Sequence, residues 1–307
     1  MLLNALVAEI FSLIALLAVG IIIKKKGHVS AEMERGLGNF MLYISIPAML
    51  IVSLNNLDVG TDLDFWLRLP ALVGGAYVFI IVFSLASVRF LRYSAHRRNT
   101  LTIMMIFSNV GNIAIPVLGA MFGSEGILYS AMFMLFFSAL LWTIGLVILR
   151  GSAAGLTFRM FLSPPLVAVF VGLALFFSPF QLPHFVALPL AQLGSTVVLL
   201  GMLIVGFALA TLKPADILGN KPLWGIVLFR QLAMPPIFFI LASLIVSDWR
   251  AVAITTMMVA MPSGVSAAAF VINYNGDGAL AAQAVVATTF VALPVFPVLF
   301  WFMTLFA

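Results

Sequence analysis

The sequence predicts an all-α polytopic membrane protein of ten transmembrane helices, arranged as an inverted repeat of five plus five. Composition, the spacing of apolar runs and the alternation of charge between them support this class. Hydrophobic residues make up 64% of the 307-residue chain and charged residues only 8%, with mean hydropathy +1.22. Soluble domains are roughly half apolar and a quarter charged, so this chain has too little polar surface to cover a water-exposed core. Apolar runs of about 20 residues, enough to cross the hydrocarbon layer, fall near 5–23, 37–55, 69–91, 101–122, 127–149, 162–180, 188–212, 223–246, 251–272 and 279–306. The connections are short and leave no soluble domain over.

The first run has no basic region before it and is followed by Lys24-Lys25-Lys26, so it reads as a retained span and not as a cleaved signal. Residues 27–36 read as a short interfacial helix with Ser30 as N-cap, followed by Met33 and Glu34. Pro47 interrupts the second span. The fourth contains Ser108-Asn109-Val110-Gly111-Asn112-Ile113-Ala114-Ile115-Pro116 at mid-depth. Gly151 to Pro165, opening Gly-Ser-Ala-Ala-Gly and closing Ser-Pro-Pro, divides the chain into repeats 1–150 and 151–307. Gly201 and Gly206 loosen the seventh span, Arg230 lies inside the eighth, and Met261-Pro262-Ser263-Gly264 breaks the ninth. Asp277, in the turn Asn273-Tyr-Asn-Gly-Asp-Gly278, caps the tenth. Five spans per half is an odd number, so a duplicated half must be inverted. Pro116 and Pro262 stand 146 positions apart, close to half the chain.

Charge sets the orientation. Lys24, Lys25, Lys26 and Arg35, then Arg89, Arg92, Arg97 and Arg98, then Arg150 and Arg159, then Lys213 and Lys221 all fall in alternate loops. The opposite loops hold only Arg68 and Arg250, beside Asp58, Asp62, Asp64, Glu125 and Asp248. The positive-inside rule places the basic loops in the cytoplasm and both termini outside, in a multi-pass protein of the cell (inner) membrane. The net charge of +5 then reflects topology, and nucleic acid is not an expected partner. The chain has no cysteine, which excludes disulfides and thiolate metal sites.

The two broken spans carry the functional signal. Proline removes a backbone donor and glycine relaxes a helix, and hydrocarbon cannot satisfy the freed groups, so the breaks must face protein or a water-filled cavity. Discontinuous helices in corresponding positions of two halves point to a transporter's substrate site. A half-helix starting at a break directs free N–H groups and its positive dipole end at an anion. The candidate binding residues are therefore Asn109, Gly111, Asn112 and Pro116 in the fourth span, and Pro262, Ser263 and Gly264 in the ninth. The amides have two readings, substrate contact or satisfaction of freed backbone groups. Arg230, about 10 Å deep at 1.5 Å per residue, also has two readings: a functional intramembrane cation on the anion's path, or a side chain that snorkels to the headgroups.

Asn109, Pro116 and Gly123 at seven-residue spacing resemble the auxin efflux carrier family of the bile-acid/arsenite-related transporters. Three further motifs, in order, are similar to those of that family: Gly206-Phe-Ala-Leu-Ala-Thr-Leu-Lys-Pro214, Arg230-Gln-Leu-Ala-Met-Pro235, and Met261-Pro-Ser-Gly through Tyr274-Asn275. The resemblance spans nearly the whole chain. It implies ten helices as an inverted five-plus-five repeat, fourth and ninth helices that cross at the substrate site, and carriage of small organic anions. Plant members have an acid/Lys pair in the third helix, where this chain reads Leu72 to Phe79. They also have a glutamine where this chain has Ser138, four residues before Trp142. Ser138 thus joins Arg230 as a pathway candidate, and the departures favour the shorter prokaryotic branch, with carboxylates such as malate or malonate as substrates ahead of auxin.

An enzyme embedded in the membrane would need nucleophiles, metal ligands or paired carboxylates. The ten spans hold no His, Cys or Asp and only Glu9 as an acid. His28, His96 and His184 fall in loops without ligand spacing, and no metal or cofactor is expected. The function expected is export or potential-driven uniport of a small organic anion by alternating access, with sodium-coupled symport as the alternative. The partners are the anion, the lipid bilayer, a sodium ion in the alternative reading, and a second copy of the chain if the protein is a homodimer.

A reporter active only outside the cytoplasm, fused at the C-terminus, is expected to be active. Activity from a cytoplasm-only reporter at that position would remove the ten-span reading.

Overall fold

In the computed structural model, residues 15–56, 63–90, 93–150, 164–178, 180–211 and 219–306 are described. Glu9 and the repeat divide from Gly151 to Ser163 lie outside them. The described residues are helical almost throughout: α1 (15–25), α2 (Ala31–Asn55), α3 (Leu63–Phe90), α4 (Ala95–Ile106), α5 (115–122), α6 (124–150), α7 (Pro164–Phe177), α8 (His184–Thr211), α9 (221–243), α10 (Trp249–Ala260), α11 (Val265–Asn273) and α12 (Gly278–Thr304). Six helical stretches among them are long and apolar enough to cross a membrane. The broken spans fall short of that length because they are divided. The stretch across α5 and α6 contains a turn at Gly123, where φ is 63°. There Gly126 lies against Leu118 of the preceding helix, a closeness only a sharp reversal produces.

Local chemistry explains the boundaries. Ser30 Oγ accepts the Met33 N–H at 3.1 Å and caps α2, while Glu32 and Glu34 in the first turn suit the positive helix end. Glu34 also holds Lys24 at 2.6 Å. The interfacial helix expected at 27–36 is not separate, for α2 runs on without a C-cap into the second span. Nor does Pro47 break that span. A proline ring crowds the carbonyl four residues back, and the π-helical turn Met41–Ser45 widens the backbone just before it, the Ile46 N–H reaching Met41 O. The same device precedes Pro235, where Val227–Ala233 is π-helical. Asp277 caps α12 through the Leu280 N–H, as expected, and Asp248 caps α10 through the Arg250 and Ala251 N–H groups.

The chain forms two compact units. The first comprises residues up to Phe65, Gly111–Leu135 and Phe158–Thr211; the second comprises Trp66–Val110, Phe136–Thr157 and Leu212 onward. Each draws on both sequence halves, so the units follow contacts and not chain order.

In the first unit the C-terminal half of α2 packs on α7 and α8. Ser45 and Thr196 join their hydroxyls at 2.7 Å. Helices α1 and α8 approach through glycines: a Cβ on Gly20 would stand 2.6 Å from Leu203 O, and one on Gly206 would strike Leu17 O. Small residues at such crossings let helix backbones touch, the usual source of packing energy in lipid. Gly201 and Gly206 therefore do not loosen the seventh span, and α8 is continuous.

In the second unit α12 packs against α4, α9, α10 and α11. Thr100 to Ile106 of α4 and Ala251 to Ala260 of α10 are buried on every side, as expected of helices apolar all round. Large apolar side chains such as Val78, Phe90, Ile240, Ile245 and Phe290 are exposed elsewhere in this unit. An apolar exterior of that kind suits lipid and not water.

Gly206→Ala is expected to lower the melting temperature of the detergent-solubilised protein, at a cost of about 1–3 kcal/mol for overpacking. Gly75→Ala, whose Cβ meets nothing within 4 Å, is the control and should melt like the parent.

Candidate functional site

Helix α4 ends at Ile106, and Phe107 turns to extended backbone with φ −98° and ψ 109°. Helix α10 ends at Ala260, and Met261 leaves it at φ −57° and ψ 141°. The two freed stretches pair with each other. Ser108 and Ser263 form an isolated antiparallel bridge, in which the Asn109 N–H donates to Pro262 O at 2.8 Å and the Gly264 N–H to Phe107 O at 2.9 Å. Each break thus supplies the other with the partners that its own helix has given up. The approach is close enough that a Cβ on Gly264 would lie 2.8 Å from Ser108 O, so only glycine fits.

Side chains satisfy what the bridge does not. Ser263 Oγ donates to Met104 O at 2.6 Å, capping a carbonyl at the end of α4. The Ser263 N–H donates to Thr288 Oγ1 of α12 at 3.0 Å, and Gln231 Nε2 donates to Thr288 O at 3.1 Å. Arg230 Nη2 donates to Ser108 Oγ and to Met261 O, both at 2.8 Å. Met261 is the C-cap of α10, so the guanidinium sits at the negative end of that helix.

Arg230 is fully buried, with 0% of its surface exposed. It therefore does not snorkel; its side chain runs inward to the paired breaks. Within the π-helical stretch Val227–Ala233, consecutive residues Arg230 and Gln231 are both buried, whereas Leu228 and Leu232 are exposed. π-Helical turns are frequent at functional sites. Buried Tyr77 lies within electrostatic reach of the guanidinium. Among the described residues Arg230 has no carboxylate partner, and its Nε and Nη1 make no hydrogen bond. Asn109 Nδ2, also buried, makes none, and neither does the acceptor Gln231 Oε1. Each buried polar atom left in that state costs about 1–3 kcal/mol, more where it is charged.

The sequence candidates divide between the units. Asn109, Pro262, Ser263, Gly264 and Arg230 come together in the second. Gly111, Asn112 and Pro116 belong to the first, where Gly111 packs against Ile46 and Pro116 follows the π-helical turn Val110–Ala114 as Pro47 and Pro235 follow theirs. Ser138 is buried on α6, and no hydrogen bond joins it to the paired breaks among the described residues. His28, His96 and His184 are exposed, and the described residues contain no cluster of three metal-ligating side chains.

Sequence reasoning missed Ser108, Gln231 and Thr288. The Arg230-Gln231 pair inside an apolar span was a signal for Gln231, and Ser108 stood beside the first amide. Thr288 had none, because its role depends on α12 lying against the second break.

The sequence pattern of the family described as membrane transport protein matches residues 5–160 and again 156–300. A protein of Methanocaldococcus jannaschii described as an uncharacterized transporter is 26% identical over 297 residues, covering 93% of this chain and 95% of that protein.

Thr288→Val removes the acceptor for the Ser263 N–H and should cost about 1–3 kcal/mol of stability, read as a lower melting temperature. Thr289→Val should be nearly neutral, since that hydroxyl returns only to Val285 O of its own helix. Equal effects of the two would deny the α12 hydroxyl its part in holding the second break.

Proposed function

The chain belongs to the membrane transport protein family, that of the auxin efflux carriers, and on that premise we propose that it is a secondary transporter for a small organic anion. The substrate class is carboxylate, with malate and malonate as the first compounds to test. One observation carries this reading: a fully buried arginine, with no carboxylate partner among the described residues, is fixed at the point where two broken helices meet. A buried cation is retained only if something compensates it, and a substrate carboxylate would. The unpartnered Nε and Nη1 of Arg230 and the Nδ2 of Asn109 are the donors assigned to it. Charge-assisted bonds of this kind are the stronger class.

The ten-span inverted five-plus-five repeat, the crossing of the fourth and ninth spans, the placement in the cell inner membrane and the non-cytoplasmic termini belong to the same proposal. Family membership and the breaks near both mid-halves support them. Transport is by alternating access. Movement out of a negative-inside cell gains roughly 2.3 kcal/mol per charge per 100 mV, so export of an anion needs no coupled ion. Gly111, Asn112 and Pro116 are proposed contacts on sequence grounds, with Ser138 on the pathway.

The test is uptake into proteoliposomes of labelled malate, malonate and indole-3-acetate at a clamped membrane potential. A carboxylate should accumulate when the inside is positive. Asn109→Ala is expected to weaken its affinity by about ten- to hundredfold, the value of one buried hydrogen bond to a charged group, and Asn112→Ala by less. No movement of any carboxylate would defeat the substrate class. Equal affinities for the parent and Asn109→Ala would return that amide to a structural role.

A further inference from the structure

The guanidinium of Arg230 divides its donors, and the anion accounts for only Nε and Nη1. Its Nη2 is spent on Met261 O and Ser108 Oγ, both at 2.8 Å. A backbone carbonyl at the C-terminal end of a half-helix, such as Met261 O, is the kind of group that coordinates a coupling cation in inverted-repeat transporters. Here a covalently attached cation already holds it. We infer that Arg230 is a tethered substitute for a coupling cation: it occupies the cation position at the paired breaks, so the protein moves its anion without sodium. This rests on the proposed anion transport and specifies its coupling.

Three observations support the inference. The acceptors are real ligands in use, each at full hydrogen-bond distance from a side chain that is 0% exposed. Most other acceptors at the breaks are committed: Phe107 O and Pro262 O to the bridge, Met104 O to Ser263, and Thr288 Oγ1 to the Ser263 N–H and Ala284 O, while Gln231 Oε1 is left without a hydrogen bond. The described residues offer no carboxylate at the breaks to offset a second positive charge. A sodium ion about 4 Å from the guanidinium at an effective dielectric of about 20 would be disfavoured roughly a thousandfold. One fixed charge thus does two things. Its Nη2 closes the helix end, and Nε and Nη1 are left as single donors for the substrate.

The experiment uses the full chain, purified and reconstituted, with labelled malonate and malate as probes. Parent uptake at a fixed membrane potential is expected to be the same, within about twofold, with sodium or N-methyl-D-glucamine as the only added cation. Arg230→Ala should lose about ten- to hundredfold in uptake. Millimolar guanidinium, which refills the vacated position, should restore part of it and raise the melting temperature of the variant, leaving the parent unaffected. Arg230→Lys keeps a cation and should stay sodium-independent, which preserves the test if the alanine variant fails to fold. A parent that transports only with sodium, or whose melting temperature rises in sodium chloride but not in N-methyl-D-glucamine chloride, overturns the inference. A folded Arg230→Ala variant that is fully active or indifferent to guanidinium overturns it too. If the parent moves neither carboxylate, the proposed substrate class fails, and the melting comparison still decides whether a free cation binds.

Discussion

A backbone N–H or C=O that leaves its helix inside an apolar interior finds no water to replace the lost partner, and the second unit of this protein is organised around that constraint. Two helices stop at the same place, and each exposes groups that it cannot pair itself. The antiparallel bridge between Ser108 and Ser263 solves the problem reciprocally, with the Asn109 and Gly264 N–H groups taking Pro262 O and Phe107 O. The rest follows from the need to hold that bridge. Gly264 admits the opposing backbone, Ser263 closes the end of α4, and Thr288 brings in α12. Pro262 reduces the demand by one donor, having no N–H of its own.

The same constraint explains a charged residue that would otherwise be a liability. Met261 O stands at the negative end of α10, where a cation is favoured. An arginine is better suited to the position than a lysine. Its planar fork places several donors in fixed directions and stays charged when buried. In the widened π-helical turn before Pro235, two consecutive polar residues, Arg230 and Gln231, are buried. The proline that forces the widening and the arginine that lies in it are five positions apart in one motif. Local backbone chemistry and site chemistry are therefore linked in this segment.

The second unit contains several aromatic contacts, one of them at Phe107 of the first break. Phe107 meets Phe137 at 5.4 Å, Trp142 meets Phe270 at 5.2 Å, and Arg150 lies 4.5 Å over the Tyr274 ring. The Phe107–Phe137 contact puts apolar surface beside the first break, where a dipole or a fixed charge acts with little screening.

The sequence by itself determined the class of the protein, the long apolar helices, where both breaks begin and the caps at Ser30 and Asp277. These depend on composition and on neighbours within a few residues, and such neighbours are visible in a linear chain. It also brought Arg230 and Asn109 forward, because a charge or an amide inside an apolar run is conspicuous. Tertiary structure decided what these residues do for one another. That Pro47 is absorbed by a π-helical turn, that Gly206 serves an approach to α1 and that Arg230 points inward instead of snorkelling all depend on neighbours distant in sequence. The pairing of Ser108 with Ser263 joins residues 155 positions apart, and Thr288 reaches the second break from a further helix. A serine or threonine in an apolar span looks the same in sequence whether it returns to its own helix or closes another. Only the packed neighbour decides which, since a hydrogen bond needs its partner within about 3 Å.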